Sequence, residues 1–122
     1  FLITQTENYL RDDHLPGYLA NWQTAFDPRT FNWAGQGTSI GADAAGNTIS
    51  YVIHRLCRNS SESANAPTQQ CVTLTSTGTG TSRVGASYGQ VPLSGTLLVY
   101  YRITVRVTGP KNTVSYVQSF TY

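Results

Sequence analysis

The sequence predicts an α+β domain in which a helix packs on one face of an antiparallel sheet that ends in a long hairpin. Three observations carry that prediction. Near the amino end Leu2, Thr6, Tyr9 and Leu10 recur at helical spacing, with Ile3 beside the same stripe. Near the carboxyl end the odd positions Leu97, Val99, Tyr101, Ile103, Val105 and Val107 are apolar, while Arg102, Thr104, Arg106 and Thr108 alternate with them. The order of elements, helix first and strands last, is that of an α+β arrangement.

A chain of 122 residues is long enough for one hydrophobic core and too short for two, so residues 1–122 are expected to form a single domain. Eight basic and six acidic residues leave a formal charge of +2, and the basic residues are scattered. Nucleic-acid binding calls for a dense basic stripe interleaved with aromatics, and no nucleic-acid partner is expected. No apolar run is long enough for a membrane span. The chain lacks Met and starts on the apolar Phe1-Leu2-Ile3, which reads as a mature or trimmed chain with its targeting or anchoring segment upstream of Phe1.

The helix is expected over Leu2 to Asp12, within a helical end at 1–12, and Pro16-Gly17 stops it. Residues 15–47 show no sustained period and read as an irregular connection, anchored on the core by Trp22, Phe26, Phe31 and Trp33. Sheet and loops fill 48–122. Ile49 to Cys57 is β-branched and aromatic, follows the turn-like Gly46-Asn47, and reads as a strand. Cys71 to Thr75 reads as a short second strand, and Ser76 to Gln90, rich in Thr, Gly and Ser, as a surface loop.

In the terminal hairpin, Gly109-Pro110-Lys111-Asn112 makes the turn, and the apolar set switches to Val114, Tyr116, Phe120 and Tyr122. A four-residue loop with Thr108 opposite Thr113 sets Val107 against Val114, Val105 against Tyr116, Tyr101 against Phe120 and Val99 against Tyr122. That register leaves Arg102 and Arg106 on a wet face. A slip of one residue turns one strand inside out.

Cys57 and Cys71 flank the polar stretch from Arg58 to Gln70. Such a pair reads as a disulfide, and so as an oxidising compartment; the alternative is two unrelated buried thiols.

Catalytic chemistry finds little support. His54 lies within a strand and reads as a sheet-face histidine, and His14 after Asp12-Asp13 as a solvated helix end without further ligands. Asp43-Ala-Ala-Gly-Asn47 lacks the alternating acidic ligands of a calcium loop and reads as a turn. Glu7 and Glu62 give no seat for a carboxylate pair, and no nucleophile, zinc or phosphate-loop motif occurs. Neither catalytic, cofactor nor metal residues are predicted. Asn59-Ser-Ser61 is a formal glycosylation sequon.

Two blocks carry a resemblance. Gly46 to Cys57 (GNTISYVIHRLC) resembles the first-strand motif of PilX-type minor pilins, and Val99 to Gln118 (VYYRITVRVTGPKNTVSYVQ) their terminal hairpin. Leu15 to Ala34 looks like the looser middle region of that family, and Cys57 and Cys71 match its cysteine pair. The resemblance implies a pilin-like fold in which residues 1–12 end a long amino-terminal helix. That helix, missing here in its membrane-spanning half, would anchor the full-length protein in the inner membrane.

The implied role is a low-abundance subunit of type IV pili that helps initiate assembly and lies near the pilus tip. Implied partners are other minor pilins, the major pilin and a tip-associated adhesin. Loops 58–70 and 76–90 are candidate contact surfaces or plain solvated connections. Two other classes stay open: a type II secretion pseudopilin, and a free adhesive module with an aromatic-lined cleft using Trp33, Tyr88 or Tyr100.

Overall fold

The computed structural model describes residues 9–75 and 97–122. In chain order their strands and helix are β1 (Tyr18–Leu19), α1 (Trp33–Gln36), β2 (Thr38–Ala42), β3 (Thr48–Arg55), β4 (Thr73–Thr75), β5 (Leu97–Val99), β6 (Tyr101–Thr108) and β7 (Val114–Thr121). The β-branched run Thr48–Arg55 becomes the central strand, antiparallel to β6 over its whole length, from Thr48 opposite Thr108 to Arg55 opposite Tyr101. The other edge of β3 is shared: β1 runs parallel to it at Ile53 and His54, while β2 runs antiparallel at Thr48 to Tyr51. The sheet is therefore mixed, not purely antiparallel. β7 pairs with β6 and lies at the far end of the strand order. Among the described residues no helix is long and apolar enough to cross a membrane.

Two strands can share one edge because of Gly17. It has φ +70, and a Cβ there would lie 2.6 Å from the Thr38 hydroxyl and 3.2 Å from the Tyr51 carbonyl. Its own carbonyl accepts a 2.7 Å hydrogen bond from the Ile53 amide. The start of β1 thus meets the start of β2 at Thr38 with no side chain between them.

The residues 15–47, expected to be irregular, hold both strands of that edge, β1 and β2. Sequence periodicity misses β2 because an extra residue at Ile40 breaks its register between Ser39 and Gly41. The Asp43 turn joins β2 to β3: the Asp43 carboxylate accepts from the amides of Ala45 and Asn47 and from the Asn47 side chain.

The helix expected over Leu2 to Asp12 is represented, in its described part, by one 3-10 turn at Tyr9–Arg11; residues 1–8 lie outside the described residues. The physical reason is visible in the carbonyls. Leu10 accepts from the Tyr18 hydroxyl and Arg11 from the Ser61 amide, so tertiary partners take groups that a continuing helix would use. The expected Gly/Thr loop at 76–90 also lies outside the described residues.

Cys57 and Cys71 form a disulfide and face each other in an antiparallel bridge. The Arg58 amide donates to the Gln70 carbonyl and the Val72 amide to the Leu56 carbonyl, one on each side of the bond. Tyr100 then joins the two sheets: its amide donates to Val72, and its carbonyl accepts from Leu56. For that reason the run from Leu97 to Val107, expected as one strand, divides at Tyr100 into β5, paired with β4, and β6. The polar loop inside the disulfide is pinned as well. The buried Gln69 side chain accepts from the Asn59 amide and donates to the Asn59 carbonyl, while the fully buried Arg55 donates to the Glu62 carbonyl.

The terminal hairpin is present with a different register. Thr108 stands opposite Val114, Val107 opposite Ser115, Arg106 opposite Tyr116 and Arg102 opposite Phe120. The Asn112 amide donates to the Gly109 carbonyl, the Gly109 amide donates to the Thr113 carbonyl, and Asn112 has φ +58. This is a type I turn followed by a left-handed residue, the three-residue hairpin loop with a bulge. Thr108 now pairs one position further along, with Val114 instead of Thr113, and every side chain of β7 changes face. Val114, Tyr116 and Phe120 consequently join the arginines instead of the apolar odd positions of β6.

The side chains divide into two layers. On one face Leu10, Tyr18, Ala20, Ile53, Val99 and Tyr101 cluster around Cys57. On the other, Leu19, Trp33 and Val52 pack with Phe26, Phe31 and Tyr116.

Asn112→Gly is expected to leave stability within about 0.5 kcal/mol, and Asn112→Val to lower it by about 1–2 kcal/mol, because a β-branched residue resists φ > 0. Urea unfolding followed by circular dichroism measures both. The double replacement Cys57→Ala/Cys71→Ala is expected to cost about 3 kcal/mol in the same assay, the loop-closure value for this separation. A loss below about 1 kcal/mol would assign loop order to Gln69 and Arg55 instead.

Candidate functional site

Residues 26–37 build a lid of aromatics over the face that carries Arg102, Thr104 and Arg106. Asp27 organises its first turn, with its carboxylate accepting from the Arg29 amide and guanidinium and its carbonyl from the Thr30 and Phe31 amides. The Arg29 hydrogen bonds hold the Asp27 carboxyl below its usual value. Asn32 caps α1 by accepting from Gly35, and the Trp33 indole donates to the Pro28 carbonyl at 2.8 Å. Gly37 must follow, because a Cβ there would sit 2.9 Å from the Trp33 carbonyl and 3.0 Å from its ring. The result is a chain of edge-to-face contacts from Phe26 through Phe31 to Trp33, with ring centroids 5.2 Å apart at each step.

The face that the sequence pattern leaves wet is thereby covered. Thr104 is fully buried and accepts from the Gln118 side chain. Arg102 is half-buried, donates to the Trp22 carbonyl at 3.0 Å and lies 4.3 Å from the Phe26 ring centroid. Burial lowers its pKa from the ordinary value. Arg106 lies over Trp33, 5.9 Å from the ring centroid.

His54 sits opposite Arg102, fully buried, with Phe26 4.4 Å and Phe31 6.2 Å away, ring to ring. Neither ring nitrogen has a hydrogen-bond partner among the described residues. Burial first, and the Arg102 charge second, push its pKa down to about 4. A neutral imidazole wedged between phenyl rings, without a carboxylate to orient it, is a packing residue in this arrangement. His14 is exposed and lies 3.6 Å from Asp12. Among the described residues no three His, Cys, Asp or Glu side chains gather into a set that could hold a metal ion. The Asn59 side chain of the sequon donates to Glu62 and to the Thr68 carbonyl, so that amide is already engaged.

Beside the lid lies an open cleft of about 350 Å³ lined by Trp33, Ala34, Gly37, Ser39, Thr48, Ser50 and Arg106. Of the aromatics expected to line a ligand cleft, Trp33 is there. Tyr100 meets Tyr122 edge to face elsewhere, 5.4 Å between centroids, and Tyr88 lies outside the described residues. Sequence reasoning missed Ser39, Ser50 and Arg106 as a group. They meet only through strand register, with Ser39 opposite Ser50 and Ser50 opposite Arg106. The second exposed feature is β7, whose Val114, Val117 and Phe120 remain accessible at the sheet edge.

Compared with protein-family models, with curated proteins and with solved structures, the chain matches none.

The buried His54 makes stability depend on acidity. Its unfolded pKa is 6.5, so between pH 6.5 and 4 the unfolded chain takes up a proton that the folded chain refuses. The contribution is complete above pH 6.5 and falls by roughly 3 kcal/mol as the pH drops to about 4. His54→Leu is expected to remove that part of the slope. Urea unfolding of both proteins at pH 7 and pH 4.5 checks it, and equal acid losses would refute the assignment.

Proposed function

We propose that this chain is the globular part of a non-enzymatic minor pilin that helps initiate type IV pilus assembly and lies near the pilus tip. One observation carries the reading. The two sequence blocks that resemble PilX-type minor pilins are the central strand β3 and the hairpin β6–β7, and they pair with each other along all eight positions of β3. The resemblance thus falls on one continuous piece of sheet. The disulfide that closes the polar loop suits assembly on the periplasmic side of the inner membrane and life outside the cell.

Function on this reading consists of contacts. A long β7 with no charged residue offers main-chain groups and the side chains of Val117 and Phe120 to neighbouring subunits. The pinned loop 58–70 offers a second, more rigid surface. Other minor pilins, the major pilin and a tip-associated adhesin are the partners proposed for them.

Deleting the gene in the source organism is expected to reduce surface pili severalfold, counted by electron microscopy, and the intact gene is expected to restore them. Normal piliation in the deletion strain would overturn the proposal. Loss of protein secretion with normal pili would assign the chain to a type II secretion system instead.

A further inference from the structure

The cleft beside Trp33 has a composition that subunit contacts do not explain. Across the sheet, Ser39, Ser50, Arg106 and Tyr116 stand in one row on four neighbouring strands and share a face. Arg106 differs from the other arginines of this region. Arg29 is paired with Asp27 at 2.8 Å, and Arg102 is tied to the Trp22 carbonyl. Among the described residues Arg106 has no acidic partner and no hydrogen bond, and its Nε is buried without an acceptor. Among the described residues no acidic one lines the cleft around it.

A guanidinium with unused donors is a fork suited to a carboxylate. The rest of the wall specifies more than charge. Thr48 and Ser50 put hydroxyls beside the arginine, the Ser39 hydroxyl being engaged by the Ile49 carbonyl and the Gly41 amide, while Ala34 and the Trp33 ring supply a small apolar side. The volume of about 350 Å³ lies at the lower end of the range for small-molecule sites. A ligand that satisfies all of these groups has one carboxylate, several neighbouring hydroxyls and a compact ring. We propose that the cleft binds an acidic monosaccharide unit of the hexuronate class, with Arg106 taking the carboxylate and Ser50 and Thr48 the adjacent hydroxyls. This goes beyond the pilus-subunit reading and is tested on the isolated chain, so either can fail without the other.

The test is an amide NMR titration of the chain with sodium glucuronate, glucose and sodium acetate. Glucuronate is expected to shift Gly37, Ser50 and Arg106 saturably with a millimolar midpoint, and glucose and acetate to bind about tenfold more weakly. Arg106→Gln is expected to weaken glucuronate about tenfold, with Arg106→Lys intermediate because it keeps the charge and loses the fork. Should Arg106→Gln fail to fold, Ser50→Ala serves, weakening glucuronate while leaving acetate unchanged. Acetate or glucose binding as tightly as glucuronate overturns the proposal. So does undiminished binding by a folded Arg106→Gln, or the absence of shifts up to about 50 mM glucuronate.

Discussion

Strand β3 must satisfy its backbone on both edges and bury its side chains on both faces over the same four residues, Val52 to Arg55, and the other elements are arranged to allow that. Ile53 and Arg55 face the cluster around the disulfide, and Val52 and His54 face the aromatic lid. Two of these four side chains are polar, and burying them without compensation is costly. Arg55 meets the cost by reaching the Glu62 carbonyl, which ties the disulfide loop to the sheet. His54 limits it by staying neutral between two phenyl rings. Two segments that look irregular in sequence, the disulfide loop and the connection before β3, therefore complete the centre.

The lid over Arg102 and Arg106 follows from the same constraint. Val52 and Thr104 are fully exposed to the lid side and fully excluded from water, so something must cover them. Phe26, Phe31 and Trp33 do so, and the arginines between them remain compatible with the layer because a guanidinium can lie on an aromatic face. Alternation of apolar and charged residues in β6 describes its two faces correctly as different. It does not say which one meets water, since half-buried cations over aromatics and solvated cations have the same pattern.

The hairpin shows how a small local choice reverses a larger one. Turn position, strand lengths and pairing partners are all legible at Gly109-Pro110-Lys111-Asn112 and its flanks. The loop length is decided by Asn112 adopting φ +58, which admits a bulge and moves the register by one. Asn tolerates that conformation without requiring it, so the choice is made by which face of β7 fits the rest of the sheet. Placing Tyr116 beside Trp33, 6.2 Å between centroids, extends the aromatic layer to the edge strand.

By itself the sequence determined the central strand, the terminal hairpin, the Asp43 turn and the pairing of Cys57 with Cys71. These are features whose causes are local: β-branched runs, period-two alternation, turn residues, and two cysteines closing one polar loop. Tertiary structure decided the rest. The short strands β1 and β2 exist because an edge of β3 needs partners, the turn at Tyr9–Arg11 stops where its carbonyls meet Tyr18 and Ser61, and Ser39, Ser50 and Arg106 become neighbours through register alone. In each case a deciding partner lies outside the repeating pattern of the segment itself, from Tyr18 eight residues beyond Leu10 to Arg106 across the sheet from Ser50, and local spacing carries no record of it.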